Sequence, residues 1–242
     1  MSEQHGNITE HTIFSEELME EITFLIYLPP SYSPLSKYSL LITQDGKDYF
    51  QLGRIPRLAD ELLGKKEIDN IIIAGIPYKN VQDRRRKYHP NGDQNAAYIR
   101  FLAHELVPFL DNTYSTYQMG MGRCLAGDSL GATVSLMTAL QYPNIFGKII
   151  LYSPYIDEKV LAAVESNDQM HLLSIYHIVG QRETAVKMTN GQVKDFLEPN
   201  RELHLLLESK GIDSFYDEFD GDHSWKYWQP DLKRALREMF SV

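Results

Sequence analysis

The sequence predicts an α/β fold with a mostly parallel central sheet, an antiparallel N-terminal edge and helices on both faces. Three observations carry that prediction. Short apolar runs of strand length recur at 21–28, 39–43, 68–75, 124–126, 148–151, 172–179 and 214–219. Helical patterns lie between most of them, and such alternation is the signature of parallel pairing through helical crossovers. The leading runs follow one another too closely for a helical crossover, so they are expected to form an antiparallel edge.

Each element has its own local reason. In 21–28 the residues Ile22, Phe24, Ile26 and Leu28 alternate and can share one sheet face. Pro29 and Pro30 end that strand, because proline cannot donate to the ladder. The run 39–43 is closed by Asp45-Gly46, a turn signal. Between 95 and 112, Tyr98, Leu102, Leu106, Phe109 and Leu110 form one helical stripe. A helix is expected over 131–142, closed by Pro143, and another over 196–210, with Gly211 as its stop signal. A terminal helix is expected over 230–240.

The length of 242 residues fits one α/β domain spanning 1–242, with residues 1–8 expected to be mobile. Apolar residues make up 43% and charged residues 24%, as in ordinary globular proteins. The formal net charge of -9 argues against a nucleic-acid partner, which would require a basic face. Cys124 is the single cysteine, so no intrachain disulfide can form. The polar N-terminus lacks the basic start and apolar run of a signal peptide, and no apolar stretch approaches a membrane span. A cytoplasmic location with no membrane partner is therefore expected. Composition leaves the oligomeric state open.

The most informative segment is Leu125-Ala126-Gly127-Asp128-Ser129-Leu130-Gly131-Ala132. It contains G-x-S-x-G between an apolar strand and a helix, the context of a nucleophile elbow. A serine hydroxyl is a weak nucleophile, and a sharp strand-to-helix turn presents it. The residues two before and two after it approach closely, which favours glycine at both. The backbone N–H of Leu130 would then form half of an oxyanion hole at the new helix's start. The second half is expected from the loop after 39–43, through the N–H of Lys47 or Gly46.

An elbow serine requires a downstream histidine, with the acid between them in sequence. His171 and His177 fall at or inside a strand run, and His204 lies mid-helix. His223, in Gly221-Asp222-His223-Ser224-Trp225, follows the last strand and can hang over the strand edge toward Ser129. The acid should follow the strand 172–179, where Glu183 is the first carboxylate. Its role would be to hold the imidazole tautomer and stabilise the imidazolium. Asp195 and Asp157 compete for that position.

These residues resemble a known family. Leu41 to Gly46, Arg86-Lys87-Tyr88-His89-Pro90, the helix Phe101 to Pro108, the elbow, Pro143 to Gly147 with Ser153-Pro154, and Gly221-x-His223-x-Trp225 occur in the family's order. The chain resembles the putative esterase branch of the α/β-hydrolases, which includes S-formylglutathione hydrolases, feruloyl esterases, mycolyltransferases and siderophore (enterochelin-type) esterases. That resemblance implies an α/β-hydrolase fold, with Ser129 as nucleophile, His223 as base and Glu183 where the family places its acid. Ala132 stands where many members carry a second glycine, and Glu183 replaces the commoner aspartate.

The expected activity is therefore hydrolysis of a small carboxylic ester through an acyl-enzyme, with a siderophore-type trilactone as one candidate substrate. Acyl transfer to an alcohol, and a catalytically silent binding protein, are the rival readings. No cofactor is expected, since no metal-ligand spacing is present. The run Asp83-Arg84-Arg85-Arg86-Lys87 is the one dense basic segment, and Arg85 and Arg86 are candidate substrate contacts, with Tyr88 and Trp225 as pocket wall. Cys124, on the strand entering the elbow, is expected to be a buried, inert thiol.

Overall fold

A computed structural model describes residues 5–241 of the chain. The chain begins with strands β1 (Asn7–Ser15), β2 (Glu20–Leu28) and β3 (Ser39–Gln44). Helices α1 (Gly46–Gln51) and α2 (Ile55–Gly64) precede β4 (Ile71–Ile76). Helix α3 (Val81–Tyr88) is followed by α4 (Asn95–Phe101), a π-helical turn (Leu102–Leu106) and α5 (Val107–Thr113). Then come β5 (Arg123–Asp128), α6 (Leu130–Gln141), β6 (Lys148–Tyr152), α7 (Glu158–Glu165) and β7 (Ser174–Gly180). A small hairpin of β8 (Val186–Lys187) and β9 (Val193–Lys194) leads to α8 (Leu197–Ser209), β10 (Asp213–Phe219) and α9 (Trp225–Phe240).

Among the described residues the main sheet has eight strands in the order β1-β2-β4-β3-β5-β6-β7-β10. From β4 through β10 every pairing is parallel, and β1 and β2 add the antiparallel edge. The fold is that of an α/β-hydrolase, as expected. One detail differs: β3 is not at the edge but inside the sheet, parallel to both β4 and β5. The chain leaves β2 through the Pro29-Pro30 turn, passes over β4's place and leaves room for β4 to insert between β2 and β3. That placement puts the end of β3 next to the end of β5.

Alternation along the central strands builds a core on each face of the sheet. Leu40, Ile42, Ile72, Ala74, Leu125, Ile149 and Leu151 face one cluster, which α4 through α8 cover. Leu41, Ile71, Ile73, Cys124, Ala126, Ile150 and Tyr152 face the other, covered by α1, α2 and α9. Strands buried on both faces carry continuous apolar runs, which is why β4 reads Ile-Ile-Ile-Ala-Gly-Ile.

Several expectations are corrected. Asn7 and Ile8 belong to β1, so the mobile N-terminus expected over 1–8 does not extend that far, and residues 1–4 lie outside the described residues. In β1 the exposed face carries Ile8 and Phe14 beside Glu10 and Thr12, while the covered face carries Thr9 and His11 beside Ile13, so no apolar alternation marks the strand. The basic run lies within helix α3, capped by the Asn80 side chain accepting from Asp83 N–H. Helix α9 starts at Trp225, just after His223, and tolerates Pro230 within it near its N-terminal end.

Candidate functional site

Three non-glycine residues with positive φ stand at the carboxyl ends of neighbouring strands: Asp45 after β3 (53°), Ser129 after β5 (53°) and Ser153 after β6 (44°). Left-handed backbone at a side chain with a Cβ stores strain, and such residues collect where function holds them. All three lie outside the carboxyl ends of the parallel strands, where open α/β sheets place their sites.

Ser129 occupies the tip between β5 and α6, with ψ of -123°. Its N–H donates to the Tyr152 carbonyl (2.9 Å), and its own carbonyl accepts from Tyr155 N–H (3.3 Å). The turn is as tight as the motif requires: a Cβ on Gly127 would lie 2.2 Å from the Gly131 carbonyl carbon. Leu130 begins α6, so its N–H has no intrahelical acceptor and is free for a ligand. Gly46 and Lys47 open α1 in the same way on the neighbouring strand end.

Glu183 is fully buried. Its Oε1 accepts from Ser153 Oγ (2.6 Å) and from Gly180 N–H (2.8 Å). Its Oε2 lies 2.6 Å from His223 Nδ1. The loops bearing the two residues are tied together, since Gln181 N–H donates to Phe219 O (2.9 Å) and Arg182 N–H to Gly221 O (3.0 Å). Phe196 packs on the imidazole at 4.5 Å between ring centroids, and Trp228 meets it edge-on at 4.9 Å. Trp228 also donates its indole N–H to Ser153 Oγ (3.3 Å). A ring so flanked, with Nδ1 engaged, presents Nε2 outward. No hydrogen bond joins Ser129 Oγ to His223 among the described residues; such contacts often tighten only with substrate bound.

The competing acids have other work. Asp195 Oδ1 accepts from Leu197 N–H (2.8 Å) at the start of α8, while Asp157 accepts from Val160 N–H (3.1 Å) and caps α7. The other downstream histidines sit away from the elbow's contacts. His177 is buried against Asn200 (2.7 Å), and burial lowers its pKa to about 4. His204 stacks on Tyr216 at 4.0 Å.

The expected substrate contacts separate. Tyr88 is wholly buried and lines no open wall, whereas Arg86 is exposed and paired with Asp93 (2.8 Å). Helical geometry explains this, because residues spaced along α3 point in different directions. Arg85 and Arg86 both line a surface depression of about 480 Å³ with His89 and Asn91, which does not include Ser129 or His223. Trp225 is half-buried, edge-on to both Tyr49 (4.8 Å) and Trp228 (5.9 Å). Cys124 is buried, and burial pushes its thiol well above the ordinary range.

Two residues of consequence were not singled out in the sequence. Ser153 follows β6 and supports Glu183; its Ser-Pro pair was visible, but not its partner. Arg84 lies in the basic run beside Arg85 and Arg86, and points inward. Its Nε and Nη2 reach Asp45 Oδ1 (2.8 Å) and Oδ2 (2.5 Å), and Nη2 also donates to the Asp128 carbonyl (3.2 Å). Asp128 is itself buried, and burial together with nearby Asp45 raises its pKa well above the ordinary carboxylate range.

Comparison with known proteins places this site in context. The chain is 58% identical over 239 residues to the uncharacterized protein YjcH of Bacillus subtilis (strain 168), covering 99% of this chain and 100% of that one. A ferulic acid esterase structure superposes with a TM-score of 0.82 at 18% identity, covering 98% of both chains. The enterobactin esterase from Shigella flexneri superposes with a TM-score of 0.83 at 18% identity, covering 96% of this chain and 58% of the other. At that identity the structural likeness speaks for the fold. The sequence profile of the family described as "Putative esterase" matches residues 15–239, and the chain belongs to that family.

Proposed function

We propose that the protein is a serine carboxylic-ester hydrolase, with Ser129 as nucleophile, His223 as general base and Glu183 as the acid. The observation that carries this reading is the 2.6 Å contact between His223 Nδ1 and the buried Glu183 carboxylate, set beside a serine on a strained elbow. Membership of an esterase family supports the reaction class.

The chemistry follows from the arrangement. Glu183 Oε2 accepts a hydrogen bond from Nδ1–H, which keeps the proton on Nδ1, so the neutral imidazole carries its lone pair on Nε2. His223 removes the Ser129 proton through Nε2 as Oγ attacks the ester carbonyl. The carbonyl π-bond opens to an oxyanion, which the N–H of Leu130 and that of Lys47 or Gly46 stabilise. The C–O bond then breaks, and the alcohol departs with the proton from His223. Water repeats the sequence on the acyl-enzyme and releases the acid. The developing oxyanion would meet backbone N–H donors and the developing imidazolium the Glu183 carboxylate, the kind of arrangement in which electrostatic stabilisation is largest. No step calls for a cofactor.

The test is turnover of p-nitrophenyl esters of increasing acyl length by the wild type and by Ser129→Ala, with a catecholate trilactone in the same panel. Activity on short chains is expected, with several orders of magnitude lost from kcat in the variant. A wild type that turns over no ester and is not labelled at Ser129 by a fluorophosphonate would leave the binding-protein alternative.

A further inference from the structure

We propose that Arg84 is a positioning residue that holds the two halves of the oxyanion hole in register. The inference rests on the serine-esterase reading above. The two halves come from different loops, the Asp45–Lys47 turn after β3 and the Ser129–Leu130 elbow after β5. Nothing in the chain connects those loops covalently over a short distance, and a donor misplaced by about 1 Å can cost about 100-fold in rate. Arg84, from a third element, contacts both. Its fork grips the Asp45 carboxylate through Nε (2.8 Å) and Nη2 (2.5 Å), and the same Nη2 donates to the carbonyl of Asp128, the residue preceding Ser129.

The surroundings show a built arrangement. The Asp45 side chain is 1% exposed and the Arg84 side chain 14%. Asp45 has a left-handed backbone (φ 53°, ψ 40°) immediately before Gly46 and Lys47, and its N–H donates to Tyr88 Oη (3.3 Å). Gln44, one residue earlier, accepts from Tyr98 Oη (2.5 Å). The guanidinium lies 5.8 Å from the Tyr78 ring centroid and 5.5 Å from that of Tyr88. The elbow helix comes close to the same carboxylate: a Cβ on Gly131 would lie 3.0 Å from Asp45 Oδ2. Burial by itself would make the guanidinium less basic, but the Asp45 carboxylate outweighs it, so Arg84 stays charged. Asp128 Oδ2 is 3.9 Å from Nη2, too far to replace Asp45 as the partner.

A buried ion pair is by itself weak grounds for a stability role. What distinguishes Arg84 is that both of its acceptors lie one or two residues from the proposed oxyanion donors and the nucleophile. A lysine would supply the charge but not the planar fork, and so could not hold both acceptors at once. Loosened donors lose most where the oxyanion develops and little where the ground-state carbonyl binds.

The experiment compares wild type, Arg84→Lys, Asp45→Asn and the double variant, each normalised to folded protein by near-UV circular dichroism. It measures kcat and KM on a short p-nitrophenyl ester and Ki for a trifluoromethyl ketone, whose adduct with the serine carries the oxyanion. The expected result is a fall in kcat of about 100-fold in Arg84→Lys, with KM changed less than about threefold and Ki raised by a factor similar to the loss in kcat. Asp45→Asn should behave alike, and the double variant should be no worse than the poorer single one. Folded Arg84→Lys with kcat within about fivefold of wild type, or a loss confined to KM with ketone affinity unchanged, overturns the role of Arg84. A wild type that neither hydrolyses esters nor reacts with a fluorophosphonate overturns the serine-esterase reading itself, so the two failures are distinguishable.

Discussion

Replacing Glu183 by glutamine changes one atom of the proposed triad and leaves its size alone. In the wild type, Oε1 takes the Ser153 hydroxyl and the Gly180 N–H, while Oε2 faces His223 Nδ1. A glutamine oxygen must occupy the Oε1 position, because the amide NH₂ there would point at the Gly180 N–H, donor against donor. The NH₂ then faces Nδ1 and donates to it. His223 is forced into the other tautomer, with its proton on Nε2, and can no longer take the proton of Ser129. The comparable aspartate-to-asparagine change in the chymotrypsin triad costs about 10⁴ in kcat, which corresponds to about 5 kcal/mol of transition-state stabilisation. Fold stability should change little, because the Ser153 and Gly180 hydrogen bonds survive. The assay is kcat on p-nitrophenyl acetate beside the thermal midpoint of each protein. Asp195→Ala provides the contrast: it should lose about 1 kcal/mol from its hydrogen bond at the start of α8 and keep its kcat. A folded Glu183→Gln with kcat within about tenfold of wild type would refute the tautomer argument and the choice of acid together.

Further outcomes follow from the same structure. Ser153→Ala removes a donor to Glu183 and the acceptor of the Trp228 indole, and it should destabilise the fold by about 1–3 kcal/mol on chemical denaturation while lowering kcat. His177, with its pKa lowered to about 4 by burial, makes stability depend on pH. Between about pH 6.5 and 4 the unfolded chain binds a proton that the folded protein refuses, so this stability is present above pH 6.5 and is lost as pH falls toward 4, by at most about 3 kcal/mol. His177→Gln, measured against wild type over that range, should flatten the dependence; parallel curves would count against it. Cys124 should be silent to a thiol reagent in the native protein and titrate as one thiol per chain after denaturation.

Local physics made much of this protein legible in its sequence. The strands buried on both faces had to be apolar runs, the tight turn at Ser129 had to place glycines around it, and His223, the proposed base, was legible from its place after the last strand. Glu183, the proposed acid, was readable as the first carboxylate after β7, whereas the partners of Asp195 and Asp157, N–H groups at the starts of α8 and α7, were not. Strand β1 was less legible, because an edge strand exposes one face and its apolar residues are interrupted by polar ones. The position of β3 depended on β4 inserting beside it, a long-range pairing that no local pattern encodes. Side-chain direction within the basic run was decided the same way. Arg84, Arg85 and Arg86 are chemically alike in sequence, but successive helical residues point about 100° apart. Only packing of α3 against α4 and α6 turned Arg84 toward Asp45 and left Arg86 to an exposed partner. Residue chemistry and spacing thus determined which groups could form the site, whereas which of them meet was determined by contacts between segments far apart in the chain.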